Sequence, residues 1–303
     1  MSMQRAMNRN TDRLPSTSPP SALRRGGLWL PLLPFFLFVI AFELLPFLRM
    51  ACLSIESPRG YSLIHYVELF QQKFFLIALG NSISLSLACS VIGLLIGMIG
   101  AHALTLLGED GRDRLLVLIN STSNFAGVPL AFAYIVLLGT NGLLTLGLNA
   151  LGFPLYDHFS LYSWSGLMLV YVYFQAPLAI LLLYPAFAGL RDDWRDAVHS
   201  LGGSARHYWL YVGLPNILPS LAGAFSILFA NAMGAYATAY ALTSGNYSLA
   251  PLRIGNLIAG NVELNPNLAA AIAVTIGALL IAAMAVNHWT AHWVQRRMQH
   301  GGK

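Results

Sequence analysis

The chain has 303 residues, of which 56% are hydrophobic and only 10% charged, and its mean hydropathy is +0.62. A soluble globular domain carries about 25% charged residues, so that class is excluded. The net charge of +5 does not signal nucleic acid, because no basic stripe with interleaved base-stacking aromatics accompanies it.

In chain order, residues 1–27 are polar and rich in Ser, Pro and Arg. They read as a disordered cytoplasmic tail. Arg24 and Arg25 precede an apolar stretch, as in a signal peptide. That stretch runs too long, and no small-x-small cleavage site follows it. Arg49 also stands where a lipoprotein site at Cys52 wants an aliphatic residue. The first span is therefore retained.

Apolar runs of about 20 residues then recur, the length a helix needs to cross a bilayer core of about 30 Å. We read six spans, at 28–49, 76–103, 115–138, 164–187, 216–242 and 267–287. They are helices, since no alternating ten-residue strands appear and lipid offers the backbone no other partner. The fold class is an all-α polytopic membrane protein, with a transmembrane domain over 28–290 and a cytoplasmic tail over 291–303.

Of the 17 Lys and Arg residues, an N-in, C-in arrangement puts thirteen inside: Arg5, Arg9, Arg13, Arg24, Arg25, Arg112, Arg114, Arg191, Arg195, Arg206, Arg296, Arg297 and Lys303. Four lie outside: Arg49, Arg59, Lys73 and Arg253. The bias follows the positive-inside rule. Cys52 and Cys89 fall at an external and an embedded position. We expect no disulfide between them, and read both as packing thiols.

No G-x-x-x-x-G-K-[ST] occurs, so the chain itself binds no nucleotide through a P-loop. His288 and His292 stand four apart, a spacing that suits a metal on a helix. They alternate with Trp289 and Trp293, and an interfacial aromatic belt explains them better. Asp192 and Asp193 are adjacent, so on a helix they point apart and suit capping rather than a dyad. No metal and no catalytic group is assigned.

The segment 194–215 is the most informative. Trp194, Ala197, Val198 and Leu201 make one apolar stripe at helical spacing, and Ala205, Tyr208, Trp209 and Val212 make a second. Gly202 and Gly203 stand between them, suited to a helix end with positive φ, and Ser204 suits an N-cap. The segment reads as a short helix, a sharp turn and a second short helix. Pro215 then belongs to the first turn of the fifth span. Pattern alone leaves a docking element and a plain connector both open.

The spacing resembles the EAA loop of membrane subunits from binding-protein-dependent ABC importers. That pattern is Glu-Ala-Ala, three residues, Gly, nine residues, then Ile-x-Leu-Pro. Here Asp196, Ala197 and Val198 precede Gly202, then Val212, Leu214 and Pro215. Asp for Glu, Val for Ala and Val for Ile are the departures. The shorter Asp196 puts one ATPase contact in doubt. The resemblance implies the type I importer permease fold in the cytoplasmic membrane. It implies a dimer with the same or a different permease. It also implies two cytoplasmic ABC ATPase subunits that use ATP and Mg and dock on this loop, and an extracytoplasmic solute-binding protein. The coupling residues would be Trp194, Asp196, Ala197, Val198, Leu201, Gly202, Leu214 and Pro215. Residues 234–245 with 249–258 look most like the spermidine/putrescine branch, which implies a polyamine-like solute.

Inside the spans, polar groups are unfavourable in lipid and face the bundle interior or a water-filled path. Asn124, Tyr173, Gln175, Asn231 and Tyr236 are the candidates for lining it. Hydrogen bonding between helices is the plainer role for any one of them. Glu43 is the only embedded acid. An ion-coupled secondary transporter, the main alternative, more often shows intramembrane acids or broken repeat halves. A membrane-embedded enzyme would want clustered metal ligands or an acid–base pair.

Overall fold

The computed structural model describes residues 32–58, 60–260 and 264–300. The tail read at 1–27, Arg59 and Lys303 lie outside the described residues, as do the side chains of His288 and of residues 290–300. By contacts the chain divides into two units, Met1–Met50 and Ala51–Lys303.

The first unit holds most of α1 (Leu33–Ile55), which has Pro34 in its first turn and carries one π-helical turn at Ile40–Leu44. Glu43 lies in that turn. In the second unit a two-residue hairpin, β1 (Glu56–Ser57) with β2 (Gly60–Tyr61), leads into α2 (Ile64–Gln71). The long α3 (Lys73–Thr105) follows. Its buried face runs Ala78, Ser82, Leu85, Cys89, Gly93, Gly97, Ala101 and Leu104, at steps of three and four. Small residues let helix backbones approach closely in lipid, where apolar burial gives helices little reason to pair. A Cβ on Gly97 would sit 2.4 Å from Ala179 Cβ, and one on Gly93 2.9 Å from Gln175 Cβ. Both partners lie on α8 (below), so this is the tightest helix pairing of the unit.

Two helices come next, α4 (Glu109–Ser123) and α5 (Val128–Leu138). They are separated by a break at 124–127, where Gly127 has φ +75° and Pro129 opens α5. Short α6 (Leu143–Ala150) and α7 (Leu155–His158) precede α8 (Trp164–Ala188), which Ser163 caps. By length and apolarity alone the third crossing would be Val128–Ala150. Packing assigns it differently. Arg112 on α4 shares a cleft with Tyr184 and Phe187 at the inner end of α8. At the other end, Tyr156 Oη donates to Leu138 O at 3.0 Å, and a Cβ on Gly139 would lie 3.3 Å from Tyr162 Oη. So α4 and α5 together run the length of α8, as the span at 115–138 requires, but as a broken helix.

The fifth crossing corrects the sequence reading. A short α9 (Asp192–Ser200) precedes α10, which runs unbroken from Ala205 to Met233. The second stripe of the hairpin is therefore the first part of the span. Pro215 lies inside the helix rather than at its start. Proline cannot donate to the ladder. The chain answers with a π turn at Trp209–Gly213, where Leu214 N–H reaches Trp209 O. Gly213 lets the Trp209 ring fold over the turn, since a Cβ there would lie 2.6 Å from Trp209 Cε3. The span also ends early. Gly234 and Ala235 break it, and α11 (Tyr236–Thr243) is a separate helix.

The two breaks support each other. Gly127 N–H donates to Thr238 Oγ1 at 3.0 Å, and Tyr171 Oη donates to Ala235 O at 2.8 Å. Hydroxyls thus satisfy backbone groups that the broken helices release, the condition for irregular backbone at membrane depth. Around them lies the largest buried cluster, including Leu85, Leu130, Leu167, Val170, Phe174 and Ala239. The amphipathic α12 (Ala250–Ala259) covers it on the outer side through Leu252, and α13 (Pro266–His300) contains the sixth crossing. Cys89 is buried and Cys52 exposed, and neither is paired.

The six crossings among the described residues put Arg112, Arg114, Arg191, Arg195 and Arg206 on one side and Lys73 and Arg253 on the other. We expect a reporter fused after Arg112 or Arg195 to read cytoplasm, and one near Asn149 or Asn246 to read the outside. The reverse pattern would overturn the orientation.

Candidate functional site: a helical hairpin below the crossings

The hairpin is built from its ends. Asp192 and Asp193 occupy the first turn of α9, where backbone N–H groups favour negative charge. Arg191 Nη2 meets Asp193 Oδ2 at 2.5 Å, but both side chains are exposed, so the pair adds little stability. At the C-terminus Gly203 N–H reaches Val198 O and Gly202 N–H reaches His199 O, each at 2.9 Å. This paired closure is a Schellman motif, and it requires the φ of +79° at Gly202. Ser204 then caps α10. Its N–H donates to His207 Nδ1 at 3.3 Å, and its hydroxyl lies 2.8 Å from the same nitrogen.

The predicted apolar stripe divides. Trp194 and Val198 are half-buried, whereas Asp196, Ala197 and Gly202 are exposed and Leu201 is 89% exposed. Two residues brace the hairpin and four project from it. A Cβ on Gly202 would meet no atom within 4 Å. Leu214 is 37% exposed and Pro215 half-buried on α10.

An aromatic cluster ties the hairpin to the bundle. The Trp209 ring stands edge-on to His102 at 5.1 Å and lies 6.2 Å from Phe187. Arg195 sits 5.4 Å over the buried Tyr208 ring. His102 ends α3 and Phe187 ends α8, so their distance in sequence hid this bracing. The second stripe at Tyr208 and Trp209 was its only visible part. Between these groups lies a cleft of about 410 Å³.

The five candidate path residues do not share one environment. Gln175 is fully buried; its amide donates to Leu228 O at 2.6 Å and accepts from Asn231 Nδ2 at 3.3 Å. It joins α8 to α10. Asn231 itself is exposed, as are Tyr173, Tyr236 and Asn124. Tyr236 stacks on Tyr240 at 5.5 Å, and Tyr173 meets Tyr134 edge-on at 5.8 Å. The Asn124 amide donates to Asn120 O at 2.8 Å. At the outer end, burial pushes the Tyr156 and Tyr247 phenols above their usual range, so both stay neutral hydroxyls.

Six crossings among the described residues, with a capped hairpin at the inner ends of α3 and α8, define a multi-pass membrane protein. Residues 143–300, just over half of the chain, match the family described as "Binding-protein-dependent transport system inner membrane component". The chain belongs to that family. It is 24% identical over 273 residues to the probable ABC transporter permease protein y4fN of Sinorhizobium fredii. That match covers 90% of the chain but 47% of the relative, so the chain spans about half of y4fN. It is 28% identical over 252 residues to the trehalose transport system permease protein SugB of Mycobacterium tuberculosis, covering 78% of the chain and 86% of SugB. Shorter matches, over 35% and 56% of the chain, are to thiamine and sulfate transport permeases of Brucella suis and Escherichia coli. The fold matches a chain of a bacterial ABC transporter that imports the acidic polysaccharide alginate. There the TM-score is 0.70 at 16% identity, over 89% of this chain and 96% of that one.

Proposed function

We propose that this chain is the membrane-spanning subunit of an ATP-driven importer, paired with a second permease that is a copy or a different chain. Two cytoplasmic ATPase subunits seat the exposed part of the hairpin, and an extracytoplasmic binding protein delivers the solute. The observation that carries this is mechanical. Past the Gly202–Gly203 turn the hairpin is one continuous helix with the fifth crossing. A push on Leu201 and Ala197 enters α10 across the short turn that the two Schellman hydrogen bonds and the Ser204 cap hold, and from Ala205 it reaches Asn231 along one unbroken helix.

The same helix breaks at Gly234–Ala235, beside the break in the third crossing. Two adjacent breaks are where such a push becomes a change in the path. Exposed amide and phenol groups are unfavourable against lipid, so Asn231, Tyr173 and Tyr236 each turn to the path or to the second permease.

These exposed and half-buried groups suggest a solute class. Asn124, Tyr134, Tyr173, Asn231, Tyr236 and Tyr240 offer rings and neutral hydrogen-bonding groups and no carboxylate. A polyamine would want acids to offset its charges. Stacked tyrosines with amides suit a neutral polyhydroxylated solute, and trehalose in the name of SugB agrees with this. The relatives named for thiamine and sulfate leave the class to experiment, and none of the relatives named above is a polyamine carrier by name. The test is ATP hydrolysis by the reconstituted permease, ATPase and binding protein. We expect a disaccharide to stimulate it and spermidine to have no effect. Stimulation by spermidine alone would restore the polyamine reading. Failure to assemble with any P-loop ATPase would remove the importer reading.

A further inference from the structure

The cleft of about 410 Å³ behind the hairpin has no role in the mechanism above. Its walls come from the inner ends of α3 and α8, the first turns of α4 and α9, and Tyr208 and Trp209 of α10. Two guanidiniums line it. The Arg112 side chain is 29% exposed, and its ion pair is with its chain neighbour Asp113 at 3.6 Å, whose own side chain is 72% exposed. Arg195 rests on the Tyr208 ring and, among the described residues, makes no ion pair. His102 and Tyr184 add two hydrogen-bonding groups, and Asp192 is the one acid in the lining. Two arginines and one carboxylate in the lining leave net positive charge at the cleft.

We propose that this cleft binds a phosphate group, that of an anionic lipid of the inner leaflet. The planar guanidinium fork matches phosphate as it does carboxylate, and binds either in pairs of parallel hydrogen bonds; phosphate is the anion that a lipid headgroup brings to this level. The rim points to lipid as the source. Leu106 lines the cleft and is 70% exposed, its chain neighbour Leu107 is 41% exposed, and Leu115, one turn along α4 from Arg112, is 40% exposed. The cleft lies at the inner ends of α3 and α8, the level at which headgroups meet acyl chains. A headgroup held by Arg112 and Arg195 has its chains against these leucines. Basic pockets between helices on the cytoplasmic side suit such headgroups.

The ligand would tie α9, which carries Arg195, to α4, which carries Arg112. That bridge spans the hairpin and the third crossing, so a bound lipid would stiffen the hairpin. This consequence rests on the importer reading; binding itself does not.

The experiment uses the full chain purified in detergent, with phosphatidylglycerol, phosphatidylcholine or inorganic phosphate added, and native mass spectrometry as the readout. We expect phosphatidylglycerol to bind and phosphatidylcholine not to. The Arg112→Gln/Arg195→Gln variant should bind phosphatidylglycerol about tenfold more weakly or worse, given the surface attraction each basic residue supplies. Arg206→Gln, which removes an exposed charge outside the cleft, should bind normally. Arg112→Lys/Arg195→Lys keeps the charge and should retain part of the binding, which separates charge from misfolding. Binding of inorganic phosphate with no binding of phosphatidylglycerol would keep the phosphate site and overturn the lipid source. Equal phosphatidylglycerol binding by wild type and the Gln double variant, or equal loss in Arg206→Gln, would overturn the site.

Discussion

Gly202→Asp should reach the membrane at near wild-type levels and yet lose ATP-driven uptake. The structure separates the two effects. A side chain at position 202 meets no atom within 4 Å, so folding bears only the backbone term of φ +79°. For an L-residue that term costs roughly 1 kcal/mol, and Asp is among the residues that tolerate the left-handed region best. The Schellman hydrogen bonds use backbone atoms only and can survive the change. What changes is the surface. Gly202 sits at the tip beside Leu201, the most exposed large apolar residue named above. A carboxylate there intrudes on whatever seats the tip. A loss of about tenfold in ATPase association corresponds to ~1.4 kcal/mol of docking free energy, which one misplaced charge readily supplies. Asp196→Glu should be mild, because it restores the residue of the resembled loop at an exposed position. Uptake and ATPase pull-down, at matched expression, are the measurements. Normal values of both in Gly202→Asp would reduce the hairpin to a connector.

Much of this was legible in the sequence, because lipid enforces simple rules. Apolar runs gave six crossings, and Arg and Lys gave their sense. Gly202 and Ser204 announced the turn and the cap, since few residues accept those backbone positions. The illegible parts depend on contacts between distant segments. Nothing near Pro215 shows that its missing N–H is absorbed by a π turn, because that solution needs Trp209 to fold over Gly213. The break at 234–235 likewise depends on Tyr171 satisfying Ala235 O from another helix. Gly127 and Pro129 do announce the break in the third crossing. The hydroxyl that completes it, on Thr238, lies in α11. The bracing of the hairpin by His102 and Phe187 joins three segments by ring packing, which leaves no periodic trace in any of them.

Path residues are where sequence and structure diverge most, and a cysteine scan should divide them. In a background with Cys52→Ser and Cys89→Ala, cysteines at Asn231, Tyr173 and Tyr236 should react with a water-soluble thiol reagent during turnover. A cysteine at Gln175 should react at least about tenfold more slowly, because thiol reactivity needs access to solvent. Gln175 is fully enclosed, with Gly93 on one side and the Leu228 carbonyl on the other. Its amide is a clamp between α8 and α10, and Asn231 is the exposed end of that clamp. Gln175→Leu should therefore act on stability, by about 0.5–1.5 kcal/mol for the lost bond to Leu228 O, whose carbonyl keeps its place in the helix. Asn231→Leu should act on transport, since it removes a polar group from the exposed face while leaving Gln175 bonded to Leu228. Melting temperature in detergent reads the first effect and solute uptake reads the second. Inert cysteines at Asn231, Tyr173 and Tyr236 during turnover would assign these positions to contact with the second permease. Rapid labelling at Gln175 would mean that α8 and α10 part during the cycle, and that the clamp opens into the path.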